Sequence, residues 1–207
     1  MQAQKKDYIW NSIGSFLQSA ISPILLIVIT RLNGVGDSGL FSFAMSLSVV
    51  FWAISLWGGR TYQVSDVKKE FSNGDYIVVR FISSLIVAVF SISFCILSGY
   101  DLIKTELIMV LVSFKILESI ADSMYGVLQI HNKLYIVGIS LTIKSVFGFI
   151  IFAIIDILTK NIVYGALSIF LVNIVVVIFY DIPWMKHVES VGLTKKNIMQ
   201  AGKIMKK

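Results

Sequence analysis

The chain of 207 residues has one cysteine, two prolines and two histidines, and only 14% of its residues are charged. A lone cysteine excludes an internal disulfide framework and a thiolate metal cluster, and Cys95 lies inside an apolar run. His131 and His187 stand without the companion ligands that a metal site needs, so no metal is expected. Neither a Gly-x-x-x-x-Gly-Lys phosphate loop nor a dinucleotide fingerprint occurs, which argues against direct ATP use and against a bound cofactor. No Gly-x-x-x-Gly pair supports a simple helix-dimer anchor. The tetrapeptide Gly36-Asp37-Ser38-Gly39 imitates a serine-protease nucleophile, but no histidine is expected on its side of the chain, and it reads as a turn between two helices. No enzyme chemistry is expected.

What is abundant is apolar: 57% of the residues, with a mean hydropathy of +0.83. Six apolar stretches, at about 8–31, 39–58, 80–99, 107–130, 135–157 and 162–184, are each long enough to cross a bilayer as a helix. The expectation is an all-α integral membrane protein: a six-helix lobe over 1–184, then a basic tail over 185–207. The first stretch carries Asn11, Gln18 and several serines and lacks a small-x-small cleavage site, so it reads as a retained helix and not as a signal peptide.

The net charge of +6 describes topology before it describes partners. With the amino terminus inside, thirteen basic residues face the cytoplasm: Lys5, Lys6, Arg60, Lys68, Lys69, Arg80, Lys133 and six in the tail. Only Arg31, Lys104 and Lys160 face outward. That bias places both termini in the cytoplasm, with no nucleic-acid partner implied. Segment 62–71 sets Val64, Val67 and Phe71 against Asp66, Lys68, Lys69 and Glu70, and the tail 193–207 mixes five lysines with apolar residues. Each reads as an interfacial amphipathic helix on anionic lipid or, equally, as a solvated topogenic segment.

The informative charges lie inside the spans. Lys115, Glu118, Asp122, Tyr125 and Gln129 follow one another in steps of three and four, so they share one face of the fourth span. Three central charges cost roughly 7.5–10.5 kcal/mol on insertion scales, and the eleven Leu, Ile, Val and Phe residues of 107–128 return about 3–7 kcal/mol. This face must turn inward. Counting back from the connection near Asn132 brings Lys144 to the depth of Asp122, so the expectation is one charge cluster of Lys115, Glu118, Asp122 and Lys144, lining a cavity or acting as static packing pairs. The first span adds a polar stripe of Asn11, Ser15, Gln18 and Ser22, read as lumen-facing or as close packing, and Pro23 as a candidate hinge.

Ile29-Thr30-Arg31-Leu32-Asn33-Gly34 and Ser38-Gly39-Leu40-Phe41-Ser42-Phe43-Ala44 resemble the first loop and second helix of bacterial oligosaccharide (Wzx-type) flippases. Gly59-Arg60-Thr61-Tyr62-Gln63-Val64-Ser65-Asp66-Val67, followed by Phe71-Ser72 and Asp75-Tyr76, extends the resemblance to these members of the multidrug/oligosaccharidyl-lipid/polysaccharide exporter superfamily. The resemblance implies one lobe of a two-lobe MATE-like fold in the plasma membrane. It further implies alternating-access transfer of polyprenyl-diphosphate-linked oligosaccharide between leaflets, with a second lobe or second copy completing the cavity. A diphosphate is a dense anion, so Arg31, Arg60, Lys115 and Lys144 are its candidate partners, with Glu118 and Asp122 balancing them. Two other readings stay open. One is a cation-coupled drug or solute antiporter lobe using Asp122; the other is a non-transporting membrane partner or inactive remnant.

Overall fold

The computed structural model describes residues 2–56, 59–66, 68, 70–192 and 195–205. Those residues form helices and short connections, with no strand among them: α1 (Gln2–Leu32), α2 (Val35–Leu56), α3 (Gly59–Ser65), α4 (Asn73–Leu97), α5 (Leu102–Ile130), α6 (Leu134–Thr159), α7 (Ile162–Val176), a π-helical turn (Val177–Asp181), α8 (Ile182–Val188) and α9 (Lys195–Ile204). Local chemistry sets the boundaries. Gly34 takes φ 98° after α1 and Gly99 φ 62° after α4, left-handed positions that spare glycine the Cβ penalty. Asp101 and Asn161 cap α5 and α7 by accepting first-turn amides.

Five helical runs are long and apolar enough to cross a membrane: α1, α2 taken with α3, α4, α6, and α7 taken through α8. The chain is therefore a membrane-embedded helical protein. The fourth long helix in chain order, α5, has the length of a span but holds Lys115, Glu118 and Asp122, and it packs among α2, α4 and α7. Phe41 and Phe152, both fully buried, meet edge to face at 5.9 Å in the core that joins these helices. Buried serines fit because their hydroxyls bond their own helix: Ser48 donates to the Met45 carbonyl, Ser123 to Ile120 and Ser168 to Gly165.

The closest helix crossing is between α1 and α6, and it rests on two glycines. A Cβ at Gly138 would lie 2.2 Å from the Trp10 carbonyl, and one at Gly14 would lie 2.4 Å from the Gly138 oxygen. Asp7 ties the ends of the pair by accepting the Tyr135 amide at 2.8 Å, and Asn33 donates to Asp156 at 2.7 Å at the other end.

Several sequence expectations are corrected. The Gly36–Gly39 tetrapeptide is not a turn but the opening of α2; the turn is at Asn33 and Gly34. Segment 62–71 is not one amphipathic helix. Its helix stops at Ser65, because the Asp66 carboxylate instead accepts the Glu70 and Phe71 amides and fixes a loop; Val67 and Lys69 lie outside the described residues. In the tail, α9 is helical over Lys195–Ile204 and docks on α4 through Ala201 and Asn197, with Leu193 outside the described residues. The third apolar stretch begins its helix at Asn73, seven residues earlier than expected. Ser72 and Asp75 form a capping box there, so Arg80 belongs to the helix interior and not to a cytoplasmic loop. α1 remains helical through Pro23.

Candidate functional site

The polar face of α5 turns inward, but the four charges expected to cluster, Lys115, Glu118 and Asp122 of α5 and Lys144 of α6, do not form one cluster. They divide among three sets of neighbours, and the expected Asp122–Lys144 pairing is replaced by other partners for both residues.

Toward the end of α5, Asp122 is held by two arginines. Arg60 of α3 reaches its Oδ1 at 3.1 Å and Arg80 of α4 reaches its Oδ2 at 3.1 Å. The two cations differ in how they are fixed. The Arg80 side chain is 3% exposed and also donates to the carbonyls of Ser55 and Leu56. Its guanidinium passes over Gly59, where a Cβ would stand 3.0 Å from it. The Arg60 side chain is 28% exposed, and its Nε donates to Gln129 Oε1 at 3.0 Å.

One and two turns earlier, Lys115 pairs with Glu118 at 2.7 Å, and Gln18 of α1 donates to the other Glu118 oxygen at 3.0 Å. The Lys115 ammonium also lies 4.8 Å from the Phe114 ring centroid.

Across the bundle, Lys144 of α6 pairs with Asp181 at 2.6 Å and donates to the Tyr125 hydroxyl at 2.7 Å, which in turn meets Ser140 at 3.0 Å. Asp181 is fully buried, and its Oδ1 has no hydrogen-bond partner. It is placed by the π-helical turn Val177–Asp181, an extra-residue bulge of the kind that re-aims a side chain in a helix.

The last two sets converge on one cavity of about 60 Å³ between α1, α2, α5, α6 and α7. Gln18, Ser22, Lys115, Glu118 and Lys144 contribute its polar lining. This volume is room for a few waters. Of the residues singled out from sequence, Gln18, Lys115, Glu118 and Lys144 are brought together there. Arg60 and Asp122 form the separate arginine cluster. Asn11 lies at the Gly138 crossing, and Arg31 is exposed at the far end of α1, about 20 Å along the helix from Gln18.

Sequence reasoning missed Arg80 and Asp181. The Ser-x-x-Asp capping box at Ser72 was the signal that would have moved Arg80 into a helix. Asp181 sits two residues before Pro183 near the end of an apolar run, where a charge reads as a boundary.

The fold and these inward charges define a membrane-embedded helical bundle with a polar interior. No protein-family model matches the chain, and no solved structure matches it significantly. Among curated proteins, it is similar to the capsular polysaccharide biosynthesis protein CapF of Staphylococcus aureus, with 27% identity over 157 residues, or 75% of this chain and 38% of CapF. The chain thus spans about two fifths of the length of the relative it matches.

Proposed function

We propose that the chain is one lobe of a flippase that moves polyprenyl-diphosphate-linked oligosaccharide across the bacterial plasma membrane for surface polysaccharide synthesis. It is read as a transporter and not an enzyme, with α5 as a sixth crossing in a MATE-like lobe and both termini cytoplasmic. A second lobe or second copy completes the pathway, Pro23 serves as a hinge in α1, and α9 rests on anionic lipid. One observation carries the reading. Two arginines inside the bundle share a single carboxylate, leaving an uncompensated positive charge where a dense anion can be received. The similarity to a capsular polysaccharide biosynthesis protein supports that class of anion, a lipid-linked sugar diphosphate.

In this reading Arg60, partly exposed, meets the diphosphate, while Lys115 and Lys144 line its path with Glu118 and Asp181 as resting partners. The antiporter alternative assigned cation exchange to Asp122. Both oxygens of that carboxylate are engaged by guanidinium groups, which leaves no free oxygen for a cation. The test is a full transporter carrying this lobe, reconstituted in vesicles with fluorescent polyprenyl-diphosphate oligosaccharide. Leaflet transfer that falls at least tenfold in Arg60→Ala supports the reading. Unchanged transfer removes Arg60 from the pathway, and sodium- or proton-driven drug efflux without lipid transfer replaces the flippase with the antiporter.

A further inference from the structure

A second cavity, of about 540 Å³, opens at the end of the bundle where α1 begins, between α3, the loop before α4, the last turn of α5 and Glu189 after α8. Its chemistry differs from that of the arginine cluster beside it. Among the described residues its lining contains no lysine or arginine; planar amides, carboxylates, an imidazole, a serine hydroxyl and aromatic rings stand beside the aliphatic Val64 and Ile130. These groups are already linked to one another. Gln63 Nε2 donates to Asn73 Oδ1 at 3.0 Å, Asn73 Nδ2 donates to Glu189 Oε2 at 2.8 Å, and His131 Nε2 lies 3.6 Å from the same oxygen. His131 is oriented by its Nδ1–H, which donates to the Val127 carbonyl at 2.9 Å. On the facing wall the Tyr76 hydroxyl donates to Asp66 at 3.1 Å, and the Tyr76 ring stands edge to face with Phe71 at 6.2 Å.

We infer that this cavity is a sugar-recognition site, which receives the sugar unit adjoining the diphosphate before transfer; the inference rests on the flippase reading above. Four observations carry it. First, fixed planar amides and carboxylates offer donors and acceptors at set angles, which suits hydroxyl groups that both donate and accept. Second, Gln63 is 3% exposed, and its Oε1, which lies against Gly126, has no hydrogen-bond partner, so this wall amide keeps an unmet acceptor that it can present to a ligand by turning. Third, the volume falls in the range of small-molecule pockets and accommodates one or two pyranose rings. Fourth, Gln63 lies one turn beyond Arg60 on α3, and Gln129, which receives Arg60 Nε, is two residues before His131. A diphosphate on Arg60 therefore leaves its attached sugar within about 5 Å of the cavity wall, one helical turn away.

Gly126 makes the arrangement testable with little backbone disturbance. The Gln63 carboxamide lies flat on α5 at this glycine, where a Cβ would stand 2.1 Å from Oε1. The clash is with the end of a flexible side chain, so Gly126→Ala displaces the amide and breaks the Gln63–Asn73–Glu189 chain while α5 stays in place.

The experiment measures binding of three probes to a full transporter carrying this lobe in nanodiscs: polyprenyl diphosphate, polyprenyl diphosphate N-acetylglucosamine and polyprenyl diphosphate galactose. At least one sugar-bearing lipid is expected to bind about tenfold more tightly than the bare diphosphate. In Gly126→Ala and in Asn73→Ala, each checked for monodisperse elution, that advantage should fall below threefold, and Arg60→Ala should weaken all three lipids together. Equal binding of bare and sugar-bearing lipids overturns the sugar site and leaves the flippase reading standing. An advantage that survives in both variants also overturns it. Failure of all three lipids to bind overturns the site and the flippase reading together.

Discussion

The arginine cluster makes an asymmetric prediction about three substitutions that look alike in sequence. Asp122→Asn removes the shared carboxylate charge. Arg80, 3% exposed, is then a buried cation held only by the Ser55 and Leu56 carbonyls, a loss of about 3–5 kcal/mol. Arg60→Gln takes away the 28% exposed partner and leaves Asp122 still paired with Arg80, so its effect stays near 1 kcal/mol. Arg80→Gln falls between them, because Asp122 keeps Arg60 but two carbonyls and a carboxylate oxygen lose a buried donor. At about 2–4 °C per kcal/mol for a chain of this size, Asp122→Asn lowers the melting temperature in detergent by roughly 6–20 °C, and Arg60→Gln by about 2–4 °C. The double variant Asp122→Asn/Arg80→Gln should recover part of the loss, since the uncompensated cation is gone. Its coupling energy reports the pair directly. Thermal scans by intrinsic fluorescence, with folded yield by size exclusion, read all four proteins. Equal melting temperatures for Asp122→Asn and Arg60→Gln, or strict additivity in the double variant, would refute the claim that Arg80 is the buried member of the cluster.

Three further outcomes follow from named contacts. Gly138→Ala drives a Cβ into the Trp10 carbonyl at 2.2 Å, so α1 and α6 must separate by about an ångström at a cost of about 1–3 kcal/mol; Gly148→Ala, whose nearest neighbour is 3.8 Å away, is the matched control and should melt as wild type. Lys144→Met leaves the fully buried Asp181 carboxylate without a cation, held only by the Tyr125 hydroxyl at 3.3 Å, and should lower folded yield sharply, while Lys144→Met/Asp181→Asn should restore most of it, as measured by size exclusion. Asn197→Ala removes the donor that reaches Asp75 at 2.8 Å, so amide exchange in α9 should accelerate in hydrogen–deuterium mass spectrometry while α4 stays protected.

The sequence made most of the long helices legible because apolar runs of span length admit few alternatives in hydrocarbon. It also made the inward face of α5 legible, since three charges at helical spacing cannot be turned to lipid at a tolerable cost. The partners of those charges were not legible. Depth counting across one hairpin put Asp122 beside Lys144, but a lysine chooses among every carboxylate at its depth. Asp181, delivered by a π-helical turn from a helix far along the chain, lies closer. The Gly14–Gly138 crossing escaped notice for a similar reason: each helix carries a single glycine there, so no spaced pair exists within either one. The resembling motifs gain a physical account from the structure. Gly59 makes room for Arg80 beside Arg60, and Ser72 with Asp75 caps α4 and receives Asn197 from α9.

A cavity of about 60 Å³ admits a few waters and no lipid-linked sugar, so the proposed transport requires the bundle to part, and the polar contacts indicate where. α1 and α6 touch backbone to backbone at Gly14 and Gly138 and are tied at both ends by Asp7 and Asn33, and α6 is pinned to α5 where Lys144 and Ser140 meet the Tyr125 hydroxyl, so an opening between α1 and α5 pivots about that point. α5 is bound to α3 and α4 through Asp122, and α6 to the π-helical turn through Lys144 and Asp181. Between α1 and α5 at the cavity stands a single hydrogen bond, Gln18 to Glu118, and Glu118 keeps Lys115 when it breaks. A hydrogen bond to a charged group contributes about 1.5–3 kcal/mol, whereas breaking a buried ion pair costs about 3–5 kcal/mol, so the α1–α5 seam opens first. Gln18→Leu should therefore shift the opening equilibrium about tenfold or more toward the open form. A cysteine at Ser22, which lines the cavity, reads this in a Cys95→Ala background as the rate of modification by a water-soluble maleimide. Equal rates with and without Gln18→Leu would place the moving seam elsewhere and leave the Gln18–Glu118 bond a packing contact.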